Sequence, residues 1–457
     1  MRTLEHSGSG QPADAFDTFL VVLYLLGIYL GVEIRLSAGT PVPTVLAGLA
    51  GAIMLLKHMH RLDEGQVGHL LVVIALFLAT VLAASEVAYV GKRTTGLLQL
   101  SYSFIIGYGL YLTMLLCDRR SLARIFGWFC VAIIVGCALE NYVAPFRALS
   151  DAVRGVIFDF GVYAADRRDV LLYGQVRPKL FTSEPSAVTF GFVLLAFCWY
   201  VLSEWRWKLV AYGAMFAAAF LLIRGPTLLL GLLLLVPYEL FLAPRRETAN
   251  GVDYDMGRGT LAVSLAIILA GVVLVVGFNF YAERIEAIRE GTDPSFFSRV
   301  TAPFLVAVEV IREKPLAGIG LTAESLIDGL VSQIYAQSGG LVSQYSFQSA
   351  KYALTNYFWT HWIYFGLIWG LVILVGLSFY LRSLQAPSIL FCWSMWAVLG
   401  QASGAYVSPK TWTVLYLACV ISILHQRATL SGRFAASEDG AAMPGMMSAT
   451  PTEWRRT

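Results

Sequence analysis

Stretches of apolar residues long enough to cross a lipid bilayer recur from one end of this 457-residue chain to the other. A transmembrane helix takes about 20 predominantly apolar residues. Hydrophobic residues make up 57% of the sequence and charged residues only 14%, whereas a soluble domain carries roughly a quarter charged residues. The chain is therefore predicted to be an all-α, polytopic transmembrane helical bundle, in which one domain absorbs the whole length.

Twelve apolar runs are candidate spans. They fall at approximately 17–34, 42–56, 69–85, 97–117, 122–139, 187–203, 208–223, 226–243, 260–281, 355–380, 387–406 and 411–425. Only an Arg-Gly-Pro turn separates the seventh from the eighth, so eleven spans is the alternative. The transmembrane domain is predicted over 17–430, between a tail at 1–16 and a tail at 431–457 whose composition predicts disorder.

Basic residues are concentrated in alternate short loops, which the positive-inside rule places in the cytoplasm. These are Lys57 and Arg61, Arg119 with Arg120 and Arg124, Arg206 and Lys208, Arg245 with Arg246 and Arg258, Arg382, and Arg427 with Arg433. With twelve spans, both termini are cytoplasmic, and the long hydrophilic stretches 140–186 and 282–354 lie on the outer side. Lys92 and Arg93 are the exception, because they fall in a loop predicted to be outside.

The remaining composition excludes several classes of protein. A net charge of +3 with scattered Lys and Arg does not predict nucleic-acid binding. The six cysteines lie in or beside apolar runs without paired metal-ligand spacing, so we expect core residues, no disulfide framework and no metal site. The polar N-terminus lacks a cleavage site after a short apolar core, so the first span is predicted to serve as the insertion signal.

Arg224 stands in a turn between two apolar runs, which is a costly place for a charge. Gly225 gives this turn freedom, and Pro226 suits the first position of the following helix. A guanidinium beside helix N-terminal N–H groups forms an anion site, and its flat fork fits phosphate oxygens. The turn predicts a lipid phosphate or diphosphate as ligand. The alternative is a solvated loop charge, for which the turn has little room.

Charged residues gather at the predicted outer side. The acidic ones are Glu33, Glu86, Glu140 and Glu184, and the basic ones include Arg177, Arg224 and Arg299. Glu184 precedes the sixth span, where a carboxylate either interacts with the helix dipole or, if partly buried, binds a sugar hydroxyl and takes its proton. The other arginines are either solvated loop charges or further ligands of the anion.

The stretch 282–354 has structure of its own. Apolar residues recur at helical spacing from Phe297 to Ile311, which predicts an amphipathic helix at the outer interface. Pro303 is tolerable only in a first turn, so the regular helix is predicted to begin near Thr301. Pro315, followed by two glycines, ends the helix and allows a tight turn.

The tenth span opens with Asn356 and a run of aromatic residues. Within it, Tyr357, His361 and Tyr364 fall on one helical face. His361 is the histidine placed near the outer loops, which makes it a candidate proton acceptor. A packed, hydrogen-bonded histidine is the alternative.

In these pieces the chain resembles the O-antigen ligase and O-antigen polymerase superfamily of bacterial envelope glycosyltransferases. The resemblance covers roughly 175–370. It is carried by the Arg224-Gly225 turn, the segment from Phe297-Ser298-Arg299 to Pro315-Leu316-Ala317-Gly318-Ile319-Gly320, and the segment from Asn356 to Gly366-Leu367-Ile368-Trp369-Gly370. The stretch Arg177–Ser186 also looks like a segment of exopolysaccharide-type polymerases in this group.

The resemblance implies a C-type glycosyltransferase architecture in the bacterial inner membrane, with its active site facing the periplasm. It implies an undecaprenyl-diphosphate-linked oligosaccharide as donor, membrane lipids as surroundings, and a chain-length regulator and a flippase as expected partners. The transfer it implies is inverting, metal-independent and free of cofactors. Arg177, Arg224 and Arg299 would bind the diphosphate, with Asn356 and Tyr357 as further substrate-binding residues.

One residue departs from the family pattern. Ligase-like members open the last motif with a His-Asn pair, and alignment on Gly366 puts Thr355 at the histidine position. This favours a polysaccharide polymerase over a ligase and leaves Glu184 and His361 as alternatives for the acceptor-activating base. A transporter or flippase of the same lipid-linked glycan is the rival of a different class, although no internal repeat supports it.

Overall fold

The computed structural model describes residues 13–35, 41–158, 163, 166–243, 245–248, 251–254, 264, 296–337 and 349–441, and it is mostly helical. The first part contains α1 (Ala15–Leu30), α2 (Val45–Lys57), α3 (Glu64–Ala83), α4 (Val90–Met114), α5 (Arg119–Tyr142), α6 (Ala144–Ile157), α7 (Asp166–Tyr173), α8 (Pro185–Leu202), α9 (Lys208–Leu222), α10 (Leu228–Leu233) and α11 (Leu235–Phe241). The second part contains α12 (Ala302–Glu313), α13 (Asp328–Ala336), α14 (Ala350–Ala353), α15 (Tyr357–Ser383), α16 (Ile389–Gly400) and α17 (Pro409–Ala441).

Two short antiparallel hairpins complete the described structure. β1 (Ile34–Arg35) pairs with β2 (Pro41–Val42), and β3 (Arg245–Thr248) pairs with β4 (Gly251–Tyr254). The first hairpin joins α1 to α2. Neither hairpin alters the prediction of an all-α protein.

A helix is found at each predicted span except 260–281, of which the structure describes only residue 264. Among the described residues, five helical segments are long and apolar enough to cross a membrane: Glu64–Ala83, Val87–Met114, Arg119–Tyr142, Pro185–Leu202 and Tyr357–Ser383. The structure is thus that of an all-α protein with membrane-spanning character. The count of twelve spans stays a prediction.

The bundle has a fully buried centre. α8 is apolar on all sides and almost entirely buried, with α5 and α17 packed against it, while α4 packs against α2 and α17. A helix that is hydrophobic all round belongs inside a bundle. By contrast, α3 and α5 expose large apolar side chains such as Leu82 and Trp128, which suits contact with lipid.

The eighth predicted span differs from the expectation in two ways. It is divided into α10 and α11 close to Pro237, whose ring clashes with the carbonyl four residues earlier and which donates no N–H. In addition, Pro226 does not occupy the first helical position, because α10 begins only at Leu228. The N–H of Leu228 donates to the carbonyl of Gly225, so the chain passes through a tight turn before the helix starts.

The backbone of α15 breaks at Gly366, which has φ +63° and ψ −165°. A turn formed by Pro315–Gly320 fills this break. The N–H groups of Leu367 and Ile368 donate to the carbonyl of Pro315 at 2.8 and 3.0 Å, and the N–H of Gly320 donates to the carbonyl of Tyr364 at 2.8 Å. Non-helical backbone within a membrane protein requires such internal partners. The predicted tight turn is therefore confirmed, and it completes an interrupted helix.

A buried arginine anchors this turn to α4. Arg93 has no exposed surface, and its Nη2 donates to the Ile319 carbonyl and to Glu86 Oε2, both at 2.8 Å. Lys314 Nζ binds the other oxygen of Glu86 at 2.5 Å. The Lys314 ammonium, followed by the Arg93 guanidinium, lowers the pKa of Glu86 to about 2 against the opposing effect of burial. Arg93, an exception to the charge rule, is thus neutralised inside the protein.

The amphipathic helix predicted between Phe297 and Ile311 is present. α12 begins one residue after Thr301, following a π-helical turn, and ends just before Lys314. Val306 is buried, while Phe304 on the other side remains 41% exposed. This second surface suits the predicted lipid interface.

α17 continues to Ala441, into the tail predicted over 431–457. Once a helix has formed, each further residue adds a hydrogen bond at little cost, and the sequence here is rich in Ala. The tail beyond 441 and the tail before 13 lie outside the described residues.

Replacing Gly320 by alanine will destabilise the protein. Gly320 has φ +81°, and a Cβ there would collide with the buried Arg93 side chain. We expect a loss of about 2 kcal/mol or more from the left-handed backbone and overpacking together. Gly91→Ala is the matched control, because it lies in a helix and a Cβ there meets nothing within 4 Å. Equal apparent unfolding temperatures for the two variants in detergent would contradict this account of the turn.

The stabilisation by Glu86 will depend on pH. Its carboxylate ionises more readily in the folded protein, so the contribution is complete above the ordinary pKa of 4.5 and is lost as the pH falls toward 2. Glu86→Gln should lower the unfolding temperature at pH 7, and the gap to wild type should close below pH 4.5. Glu33→Gln, at an exposed position, is the control. A gap that is constant with pH would refute an ionic role.

Candidate functional site

The segment 174–184, which leads into α8, is held in place by a buried carboxylate. Glu140, at the end of α5, is 3% exposed and accepts the N–H groups of Lys179 at 3.0 Å and Leu180 at 2.6 Å. Ser150 of α6 donates to the same carboxylate at 3.4 Å. The role of Glu140 is therefore to fix the backbone beneath the site.

A buried guanidinium holds the other half of this segment. Arg154 of α6 is 2% exposed and donates to the carbonyls of Thr182 at 2.7 Å and Ser183 at 3.1 Å. Between the two anchors, Leu180 and Phe181 have φ of +33° and +61°. Left-handed backbone at residues other than glycine is strained, and such strain is concentrated at functional sites.

Arg177 is buried among polar and aromatic side chains. Its Nε and Nη2 donate to Asp169 Oδ1 at 3.0 and 2.9 Å, and Nη2 also donates to the Tyr163 hydroxyl at 3.1 Å. The guanidinium lies 4.3 Å from the ring centre of Tyr173. Arg177 is thus held rigidly by three residues of the 140–186 stretch.

Arg224, in the turn between α9 and α10, also contacts Tyr173. Its Nη1 donates to the Tyr173 carbonyl, and its own backbone is left-handed, with φ +51°. The following residue, Gly225, packs against Thr189 of α8, where a Cβ would clash. The structure therefore brings Arg177 and Arg224 to the same residue, Tyr173.

Glu184 is the residue immediately before α8. Its side chain does not cap the helix; instead it accepts a hydrogen bond from the Ser186 hydroxyl. The charge of Glu184 acts on the ammonium of Lys410, which lies 4.6 Å from the ring centre of Phe190. Among the described residues, that ammonium makes no hydrogen bond or ion pair. We call Arg177, Arg224, Glu184 and Lys410 the Glu184 site.

Arg299 and Asn356 form a second group. Asn356 is fully buried, and its Nδ2 donates to the Arg299 carbonyl at 2.9 Å and to Gln401 Oε1 at 2.7 Å. Its Oδ1 caps α15 through the N–H of Trp359. Asn356 therefore fixes the backbone at Arg299. The loop 401–408 joins this group to Lys410, the second residue of α17.

Tyr357 and His361 lie deeper in the bundle. Both are buried, and the Tyr357 hydroxyl donates to the Trp396 carbonyl at 2.8 Å. His361 bonds Tyr406 through Nδ1 at 2.9 Å and the Gly370 carbonyl through Nε2 at 3.1 Å. A carbonyl only accepts, so Nε2 carries the proton and Nδ1 accepts from the tyrosine. With both nitrogens occupied, His361 joins the two halves of the broken helix.

The four acidic residues predicted on the outer side therefore have different surroundings. Glu33 is exposed, Glu86 anchors the turn at the helix break, and Glu140 supports the segment before α8. Glu184 accepts a hydrogen bond from Ser186 and interacts with the Lys410 ammonium. This leaves Glu184 as the carboxylate available for chemistry.

Sequence reasoning missed Lys410, Arg154 and Asp169. Lys410 carried a usable signal, because a lysine in a short loop predicted to be outside opposes the positive-inside rule. Arg154 and Asp169 gave no such signal, since loop charges in a long outer stretch are usually solvated. Their roles depend on side-chain contacts across helices.

The described residues contain no group of three His, Cys, Asp or Glu side chains arranged to hold a metal ion. All six cysteines are buried and unpaired, which confirms their interpretation as core residues.

No family model matches the sequence, and no curated protein is significantly similar to it. The resemblance to O-antigen polymerases and ligases thus remains a prediction from short motifs.

Proposed function

We propose that the protein is a polysaccharide polymerase that joins undecaprenyl-diphosphate-linked repeat units at the periplasmic face of the inner membrane. The observation that carries the proposal is the Glu184 site, where the Lys410 ammonium interacts with the Glu184 carboxylate at the start of α8, and Arg177 and Arg224 both contact Tyr173 in the preceding stretch. A metal-independent glycosyl transfer needs these two elements, a cationic site for the leaving diphosphate and a proton acceptor for the attacking hydroxyl.

The cations have distinct tasks in this proposal. Arg224 and Lys410 offer donors that the protein itself uses little, while Arg177 is held rigidly by Asp169. Arg299, whose backbone carbonyl is held by Asn356, is proposed as a further cation for the same ligand. Donors fixed before the reaction stabilise the charge that grows on the diphosphate as the bond to the sugar breaks.

Glu184 is assigned as the base. The acceptor hydroxyl oxygen attacks the anomeric carbon, its proton passes to Glu184, and the bond between that carbon and the diphosphate oxygen breaks. His361 suits this role less well, because it is buried and both ring nitrogens are bonded. The geometry therefore favours one of the two alternatives left by the sequence.

Arg224→Ala will lower the rate of polymer formation by about 10² to 10³, the usual effect of removing one donor to a developing negative charge. The assay follows purified protein acting on a lipid-linked repeat unit. Arg120→Ala is the control, because Arg120 is 78% exposed and paired with Glu204.

The products of wild type in the same assay separate the alternatives. A ladder of longer lipid-linked chains indicates a polymerase, and transfer to lipid A core indicates a ligase. Neither product, together with movement of the lipid across a vesicle membrane, indicates a transporter. A fully active Arg224→Ala variant would contradict the diphosphate role.

Glu184→Gln will affect activity, whereas His361→Gln will affect stability. The first should abolish turnover while leaving the unfolding temperature near that of wild type, because Glu184 makes one local hydrogen bond. The second should lower the unfolding temperature, because it breaks the contacts of His361 with Tyr406 and Gly370. A stable, inactive His361 variant beside an active Glu184 variant would reverse the assignment of the base.

A further inference from the structure

An open cleft extends away from Arg177, the one residue that it shares with the Glu184 site. Its wider part, of about 350 Å³, lies between the end of α5 and α6, and a narrower part leads to Arg177. Asn141, Arg147 and Asp151 line both parts, so the two form one continuous surface. This volume lies within the range of sites that enclose small ligands.

The charges of this cleft cancel. The described lining residues carry three positive charges, on Arg147, Arg177 and Lys179, and three negative charges, on Glu140, Asp151 and Asp166. An anion gains little from such a wall, since attraction by the cations is offset by repulsion from the carboxylates. A neutral ligand rich in hydroxyl groups finds both donors and acceptors there.

The polar groups of the cleft are held in fixed directions. Asp151 Oδ1 accepts from Arg154 at 2.7 Å, and Asp166 Oδ1 accepts from Lys179 at 2.7 Å. Both aspartate side chains are nevertheless about half exposed, at 48% and 49%. One carboxylate oxygen of each is thus anchored, and the side chain still reaches solvent. Pre-organised groups of this kind bind hydroxyls with little loss of side-chain freedom.

An aromatic ring lies at the mouth of the cleft. Tyr142 lines the wider part and is 75% exposed. An aromatic ring adds a flat apolar surface beside the polar groups, and a tyrosine also presents a hydroxyl. A sugar ring has the matching combination of an apolar face and an edge of hydroxyls.

We propose that this cleft binds the neutral sugar units of the lipid-linked glycan, while the Glu184 site binds its diphosphate. This inference rests on the proposed function, because Arg177 belongs to both surfaces and would place the glycan beside the reacting bond. The glycan class is an oligosaccharide without charge on the units that occupy the cleft.

Ala148→Trp tests the proposal by filling the cleft. Ala148 lines the wider part and is exposed, so a large side chain there displaces no internal contact. Leu149→Trp is the matched control, because Leu149 is the next residue of α6, is 53% exposed and does not line the cleft. Ala144→Trp, at another exposed lining position, serves as the second variant should the first fail to fold.

The measurement compares two probes with the full-length protein in nanodiscs. These are an undecaprenyl-diphosphate-linked oligosaccharide from producing cells and undecaprenyl diphosphate without sugar. Wild type and Leu149→Trp should bind the first probe at least about tenfold more tightly, a difference of about 1.4 kcal/mol. Ala148→Trp should bind both probes with affinities within about threefold of each other, with binding of the sugar-free lipid unchanged.

Two results would overturn the inference: equal binding of both probes by wild type, or a full preference for the glycan in the folded Ala148→Trp and Ala144→Trp variants. The proposed function fails separately. Suppose that wild type prefers the glycan and the variant loses that preference, but wild type forms no polymer. The role of the cleft would then be supported, and the assignment as a polymerase would be refuted.

Discussion

Where α15 breaks at Gly366, backbone N–H and C=O groups lose their helical partners and need others inside the protein. Much of the described structure follows from how these groups are bonded. The Pro315–Gly320 turn supplies both donors and acceptors to the break. Because that turn directly follows α12, its position also sets the position of α12 and of Arg299 before it. Arg93 completes the arrangement by bonding the turn from α4.

Buried charges organise the neighbouring end of the bundle in a similar way. Glu140 and Arg154 hold the segment before α8 through backbone groups, and the segment passes through left-handed conformations at Leu180 and Phe181. Arg224 has the same unfavourable conformation in its own turn. Each such residue costs about 1 to 3 kcal/mol, so the surrounding contacts must over-determine the backbone there.

Two kinds of polar surface then lie side by side. The Glu184 site has an excess of positive charge, whereas the cleft over α6 has none. A lipid-linked glycan also has an anionic part and a part rich in hydroxyl groups, joined at the bond that a glycosyl transfer breaks. Arg177 belongs to both surfaces, and the proposals for the two sites meet at this residue.

Most of the fold follows from local pattern. Long apolar runs predict helices because a helix satisfies its own backbone, and a proline followed by glycines predicts a turn whatever it contacts. The helices at all but one predicted span and the tight turn at Pro315–Gly320 belong to this class. The α10 to α11 division and the helical continuation to Ala441 depend on local details that a hydropathy pattern does not resolve.

The candidate site, too, has a part that the local sequence predicts and a part that depends on tertiary contacts. Arg177, Arg224 and Glu184 could be selected from the sequence, because a charge beside a span is unusual wherever it lies. The interaction of Glu184 with Lys410, by contrast, joins residues more than 200 positions apart. The sequence by itself thus determined a helical membrane protein with charges at one end. The tertiary structure decided which of those charges support the backbone and which remain available for a ligand, because only packing determines whether a partner lies within bonding distance.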